Sequence, residues 1–156
     1  MRVLEAIKAY NPDKAPTFID KSFPEQAAFV KDEGFRIAAL TSRRSGKSLG
    51  SGLKLFRTAH LKPNTTAIYV GLTRQTAKEI MWRPVVKELN RRFNAQGSFN
   101  ETELTVTFPN ESRIRLVGLD KDEGEMHKLL GQAPSIVIID EAGSFRQDLR
   151  ALCYEM

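Results

Sequence analysis

The stretch TSRRSGKS, from Thr41 to Ser48, brings glycine, lysine and hydroxyl side chains together within eight residues. In a phosphate-binding loop, or P-loop, backbone N–H groups wrap the phosphates, a lysine reaches the β- and γ-phosphates, and a hydroxyl binds Mg²⁺. Gly46, Lys47 and Ser48 match the end of that motif, although Thr41 stands where a first glycine is usual. A Gly-Lys-Ser triplet also arises by chance in loops, so its flanking segments must support the assignment. The candidate nucleotide-binding residues of the loop are Thr41, Ser42, Arg43, Arg44, Ser45, Gly46, Lys47 and Ser48.

Two acidic residues, Asp140 and Glu141, directly follow the apolar run SIVII at 135–139. A continuous β-branched run predicts a central strand buried on both faces. An aspartate at the carboxyl end of such a strand can hold the Mg²⁺ shell, and a neighbouring glutamate can orient or deprotonate an attacking water. Acids also end strands without any function. Their order after the loop favours an ATP and Mg²⁺ site, with Ser48 and Asp140 as metal ligands and Glu141 as a catalytic residue.

Three further polar side chains near the loop each allow two interpretations. Arg43 and Arg44 are either a solvated basic pair or the source of an arginine that stabilises charge developing on the γ-phosphate. Spacing alone does not decide between these. Gln26 precedes the loop, between Phe23 and Phe29. Its amide can pair with both the donor and the acceptor edge of adenine, or it can be a surface glutamine.

Strands alternate with helices around these motifs. Buried strands are predicted at 35–40 and 135–139, a further strand at 65–72, a β-hairpin across 104–116, and helices at 24–30, 47–61 and 74–93. Pro84 lies inside the last helix and is expected to kink it or to begin a new one. The alternation predicts an α/β fold with a mostly parallel central sheet flanked by helices and an inserted β-hairpin.

Composition limits the class of protein without identifying it. The 156 residues carry a formal charge of +5, contain a single cysteine, Cys153, and include no apolar run long enough to span a membrane. His60 and His127 are far apart, so no zinc site is predicted. A reducing cytoplasm is the expected compartment. A helix rich in basic residues can follow a DNA backbone or be a solvated face, and its residues are Arg74, Lys78, Arg83, Lys87, Arg91 and Arg92.

Taken together, the segments FPEQAAF, TSRRSGKS and SIVIIDEAG, with the hairpin ELTVTFPNESRIRLVG between them, resemble the N-terminal ATPase domain of the large terminase subunit. These subunits drive DNA packaging in tailed bacteriophages. The resemblance covers residues 24–156 and implies a P-loop NTPase fold. It implies adenine contact by Gln26, phosphate contact by Lys47, and Mg²⁺ ligation by Ser48 and Asp140. It also implies that Arg43 senses the phosphate charge and that Glu141 activates water.

The resemblance further implies partners and a larger parent protein. The implied partners are double-stranded DNA, the small terminase subunit, the portal of the procapsid and further copies in a ring, inside the host cytoplasm. Large terminases continue past the Asp-Glu strand into a coupling segment and a nuclease domain. The sequence ends before either, so we expect one partial ATPase domain with a lead-in at 1–22, incomplete at its C-terminus, and no nuclease activity.

Two other classes of protein share parts of this pattern. Helicase-like or restriction-type DNA translocases also pair an upstream glutamine with a P-loop and an Asp-Glu strand. A nucleotide-binding module without turnover is the non-enzymatic alternative. The arginine inside the loop and the hairpin before Asp140 favour the terminase interpretation over the helicase-like one.

Overall fold

The computed structural model describes residue 18, residues 23–119, residue 131 and residues 133–145. The expected lead-in at 1–22, except for Phe18, lies outside these residues, as do His127 and Cys153. Within the described ranges, no helix combines the length and the apolar character needed to cross a membrane.

The two helices that flank the candidate phosphate loop form as the sequence predicts. Helix α1 spans Pro24–Lys31 and has proline at its first turn, where a missing N–H removes no helical hydrogen bond. Helix α2 spans Lys47–Leu61. Its Leu53 and Phe56 are fully buried, which gives the helix one apolar face against the sheet.

The predicted third helix consists of three consecutive segments. Helix α3 covers Arg74–Ala77, a π-helix covers Lys78–Val86, and helix α4 covers Lys87–Arg92. Pro84 lies inside the π-helix, so the helical path continues through it and no new helix begins there. Proline has no N–H to donate, and the wider π turn changes which carbonyls need a donor.

Five strands form one mixed sheet in the order β2-β3-β4-β1-β5. The strands are β1 at Thr66–Gly71, β2 at Ser98–Asn100, β3 at Thr105–Thr107, β4 at Arg113–Gly118 and β5 at Ile136–Ile139. β1 pairs in parallel with both β4 and β5. β3 pairs antiparallel with both β2 and β4. The fold is therefore α/β, but its sheet is mixed and not mostly parallel. The predicted hairpin is confirmed as β3–β4, and β4 joins it directly to the centre of the sheet.

The strand predicted at 35–40 is wrong. These residues have no strand conformation, and Phe35 and Leu40 are 87% and 96% exposed. An apolar run becomes a strand only when a partner backbone accepts its hydrogen bonds. Both edges of β1 are already taken by β4 and β5, and within the described residues the segment pairs with neither end of the sheet.

β5 forms, but it is not the fully buried central strand that its sequence suggests. It lies at the end of the sheet, and all four of its residues are half-buried. Ile136 and Ile138 pack against the core that α2 and the 78–92 helices make with one face of the sheet. Val137 and Ile139 pack against a smaller cluster on the other face, which includes Phe145.

Candidate functional site

The start of α2 and the end of β5 meet on the side of the sheet where the carboxyl ends of β1 and β5 lie. β1 and β5 run parallel, so Asp140 lies just past the carboxyl end of its strand, where its N–H donates to the Val70 carbonyl at 3.0 Å. Lys47, the first residue of α2, places its Nζ 4.0 Å from Asp140 Oδ1. The structure therefore brings together the two motifs that are 93 positions apart in the sequence (140 minus 47).

The Lys47–Asp140 pair is long, which matters for ligand binding. At 4.0 Å the two groups attract each other but do not form a hydrogen bond. The Lys47 side chain is 42% exposed and that of Asp140 is 19% exposed. Both groups therefore keep capacity to contact a ligand placed between them.

The carboxylate of Asp140 is held from two sides. Tyr69 donates its hydroxyl to Oδ2 at 2.6 Å, and the Glu141 N–H donates to Oδ1 at 3.0 Å. Burial, and next the hydrogen bond to Asp140, raise the pKa of the Tyr69 hydroxyl above its usual range, so it stays a donor. Sequence reasoning missed Tyr69. The available signal was a tyrosine in a buried strand, because a buried phenol needs a hydrogen-bond partner.

The backbone of the loop turns sharply before α2 begins. Arg44 and Gly46 have φ values of 63° and 76°, in the left-handed region. No side chain caps the N-terminus of α2, and its first turn contains no acidic residue. The first N–H groups of a helix lack internal partners and carry partial positive charge, which suits an anion such as phosphate. The Ser45 hydroxyl oxygen is buried and has no hydrogen-bond partner among the described residues.

Gln26 lies against this turn and does not extend toward solvent. It is 6% exposed, and its Nε2 donates to the Gly46 carbonyl at 2.9 Å. The contact links α1 to the loop and leaves the amide oxygen as its remaining polar group. Adenine contact by Gln26 stays a prediction, since the described contact is with the loop itself.

Replacing Gly46 with alanine should destabilise the loop on two counts. The left-handed φ costs a non-glycine residue about 1–2 kcal/mol, and a Cβ would lie 2.9 Å from Gln26 Nε2. We expect the free energy of unfolding to fall by about 1–3 kcal/mol, as measured by chemical denaturation. Gly143→Ala is the matched control, because a Cβ there meets nothing within 4 Å. Equal stability of the two variants would show that the turn does not need glycine.

The remaining loop residues are exposed. Thr41, Ser42, Arg43 and Arg44 all face solvent, and neither arginine pairs with an acidic side chain in the described part of the chain. Ser48 is half-buried and follows Lys47 on the first turn of α2. Arg43 and Arg44 therefore add positive charge just before the uncapped start of α2, and no described carboxylate neutralises it.

Glu141 adopts an unusual backbone conformation at the other side of the site. Its φ is 52°, its side chain is exposed, and it directly precedes a short 3₁₀ helix at Ala142–Ser144. Non-glycine residues with positive φ are held by their surroundings and are enriched at functional sites. This conformation turns the chain immediately after Asp140. The Asp140 side chain is therefore largely buried, whereas Glu141 is exposed.

The oxygen donors at this site suit a Mg²⁺ ion that is held jointly by the protein and by bound phosphates. No group of three or more His, Cys, Asp or Glu side chains forms a metal cage among the residues described. Mg²⁺ commonly keeps several waters and is held by one or two carboxylates together with substrate phosphates. The Asp140 carboxylate and the Ser48 hydroxyl are oxygen donors of the kind that such a site uses.

The basic helix predicted as a DNA contact is partly neutralised. Lys87 pairs with Glu101 at 2.5 Å, and Arg91 pairs with Glu88 at 2.6 Å. Arg74 donates to the Thr102 carbonyl. The two ion pairs lower the positive charge that this helix offers to a phosphate backbone, whereas the contact of Arg74 with a neutral carbonyl leaves its charge unchanged.

Comparison with known proteins supplies no function, so any functional assignment rests on the geometry of the site. The decisive elements are the uncapped start of α2, the Lys47–Asp140 approach and the carboxylate held by Tyr69. No protein-family model, curated protein or solved structure matches this chain.

Proposed function

We propose that this chain binds ATP with Mg²⁺ at the 41–48 loop and hydrolyses it in the manner of a P-loop ATPase. The observation that carries the proposal is the 4.0 Å approach of Lys47 Nζ to Asp140 Oδ1. A P-loop lysine and a strand-end aspartate act on the same phosphates and metal, so they must lie this close. Had the two been at opposite ends of the sheet, the motifs would have been coincidental.

Each side chain has a definite role in the proposed complex. The first N–H groups of α2 and the Lys47 ammonium contact the phosphates. The Ser48 hydroxyl and the Asp140 carboxylate hold Mg²⁺, directly or through water. Bound Mg²⁺ supplies neutralisation of negative charge on the β- and γ-phosphates.

Glu141 is proposed as the group that activates water. Its carboxylate accepts a proton as the water oxygen forms a bond to the γ-phosphorus, while the bond from that phosphorus to the bridging oxygen breaks. The products are ADP and inorganic phosphate. Arg43 stabilises the charge that develops on the transferring group, and its guanidinium is exposed and forms no salt bridge with the residues that the structure describes.

The wider proposal is that the parent activity is translocation of double-stranded DNA into a procapsid, as in the large terminase subunit. Its support is the combination of Gln26, the arginine-containing loop, the Asp-Glu strand and the β3–β4 hairpin in one chain. On this proposal the partners are DNA, the small terminase subunit, the portal and further copies in a ring in the host cytoplasm. The internal pairing of Lys87 and Arg91 gives no separate support for DNA contact by the basic helix.

A second candidate function is nucleotide binding without turnover. The specific observation in its favour is the 35–40 segment, which leads into the loop yet forms no strand of the described sheet and exposes Phe35 and Leu40. A phosphate loop that is anchored on one side only is less well preorganised for a transition state. Binding tolerates such freedom better than catalysis does.

One pair of measurements distinguishes these candidates. A calorimetric titration with ATP, in Mg²⁺ and in EDTA, tests binding, and a phosphate-release assay on the same sample tests turnover. Binding with release supports the ATPase, whereas binding without release supports the second candidate. Absence of ATP binding in both buffers would refute the proposal.

Arg43→Ala should slow turnover more than it weakens binding. A hydrogen bond from a charged donor is worth about 1.5–3 kcal/mol, so we expect a roughly 10- to 100-fold lower kcat. Arg44→Ala is the matched control, since it removes the same charge from the neighbouring position. If the two variants lose affinity equally and keep kcat, Arg43 only adds positive potential.

A further inference from the structure

The buried phenol of Tyr69 contacts the proposed metal ligand Asp140 but has no role in phosphate binding. Tyr69 is 1% exposed in the middle of β1, and its hydroxyl contacts Asp140 Oδ2 at 2.6 Å. That length is typical of a strong hydrogen bond between a hydroxyl and a carboxylate. An aliphatic residue would fill the same core position without needing a hydrogen-bond partner.

The pairing of β1 with β5 explains why these two groups meet. Tyr69 lies opposite Ile138 in the parallel register. Side chains alternate between faces, so Asp140, two residues after Ile138, continues on the same face. Diagonal neighbours on one face are within reach of an aromatic side chain. The contact is therefore fixed by strand register.

We propose that Tyr69 is a positioning residue for the metal: its hydroxyl fixes the Asp140 carboxylate so that Oδ1 faces Lys47 and the Mg²⁺ site. The inference rests on the proposed function. The two oxygens of Asp140 are then unequal, because Oδ2 is held in the core by Tyr69 while Oδ1 lies 4.0 Å from Lys47 Nζ. Partners of metal ligands commonly set the orientation of those ligands.

Tyr69→Phe removes only the hydroxyl and keeps the ring that packs in the core. Asp140 then loses one of the two hydrogen bonds that restrict it. We expect the Mg²⁺ concentration needed for half-maximal ATP binding to rise about 10-fold, the lower end of the range for such changes. ATP affinity in EDTA should not change, because the Lys47 and backbone contacts do not involve Tyr69.

Ser112→Ala is the matched control. Ser112 is fully buried, accepts from the Thr65 N–H at 3.1 Å and donates to the Lys62 carbonyl at 2.9 Å. The Ser112→Ala variant therefore also lacks a buried hydroxyl, but at the opposite end of β1. Its stability should fall while its Mg²⁺ dependence stays that of the wild type. Equal shifts in Mg²⁺ dependence for both variants would mean that Tyr69 acts only through stability.

A double substitution tests whether Tyr69 acts through Asp140. In an Asp140→Ala background, adding Tyr69→Phe should leave the Mg²⁺ dependence unchanged, because the group that Tyr69 orients is gone. A further 10-fold shift in that background would overturn the proposal.

A measurement without substitution at Tyr69 guards against misfolding of the variant. The chain has three tyrosines, so with ¹³Cζ-tyrosine labelling Tyr10→Phe and Tyr154→Phe identify the Tyr69 resonance by elimination. Adding Mg²⁺ to the ATP-bound protein should shift this resonance, and ATP in EDTA should shift it much less. An unmoved resonance on Mg²⁺ addition overturns the inference about Tyr69 alone, whereas failure of the wild type to bind ATP overturns the proposed function.

Discussion

Lys47→Ala is expected to raise the Kd for ATP by about 100- to 1,000-fold. Removing one member of a desolvated charge contact costs about 2–5 kcal/mol, and the lysine is proposed to contact two phosphates. The loss should not come from unfolding, since the Lys47 side chain is 42% exposed and its protein partner is 4.0 Å away. Calorimetric titration with ATP measures the change, and chemical denaturation checks the fold.

Lys62→Ala is the control for charge. Lys62 is exposed and lies at the C-terminal cap of the same helix, so its loss changes the net charge equally without touching the site. Its ATP affinity should match that of the wild type. Near-normal affinity in the Lys47 variant would remove the P-loop assignment, and with it the proposed function.

Glu141→Gln is expected to keep ATP binding and to lower turnover by about 10²- to 10⁴-fold. General bases contribute in that range, and an amide cannot accept the proton from water. The change keeps the size and the exposed position of the side chain, so the left-handed turn at φ 52° should persist. Phosphate release under saturating ATP measures kcat directly.

Glu103→Gln provides the comparison for removing one negative charge at an exposed position away from the loop. It should leave kcat unchanged. If Glu141→Gln turns over as fast as this control, the base lies elsewhere. If Glu141→Gln instead loses ATP affinity, Glu141 belongs to the binding contacts and not to the chemistry.

The carboxylate of Asp140 shows how far local sequence reaches into the site. The apolar run and the acids that follow it predict a strand and a metal ligand, and β5 forms at Ile136–Ile139. The sequence does not reveal that Tyr69 holds Oδ2, because this contact depends on which strand lies beside β5 and in what register. Register is a property of pairing between distant segments.

Gln26 illustrates the same limit on the other side of the site. Its type and its place before the loop predict a contact with adenine. In the structure the Gln26 side chain is buried and supports the Gly46 carbonyl. An amide can serve either partner equally well, so only the position of α1 against α2 determines which one it meets.

The sequence itself determined the helix and strand periodicity and the glycine before Lys47, since each depends on neighbours a few residues apart. The tertiary structure alone decided that β1 lies between β4 and β5 and that, among the described residues, 35–40 stays outside the sheet and β5 lies at its end. The physical reason is that strand pairing joins distant segments, so a segment enters a sheet only where packing brings its backbone beside another strand. An apolar segment carries the same hydrophobic signal whether or not a backbone partner is left for it.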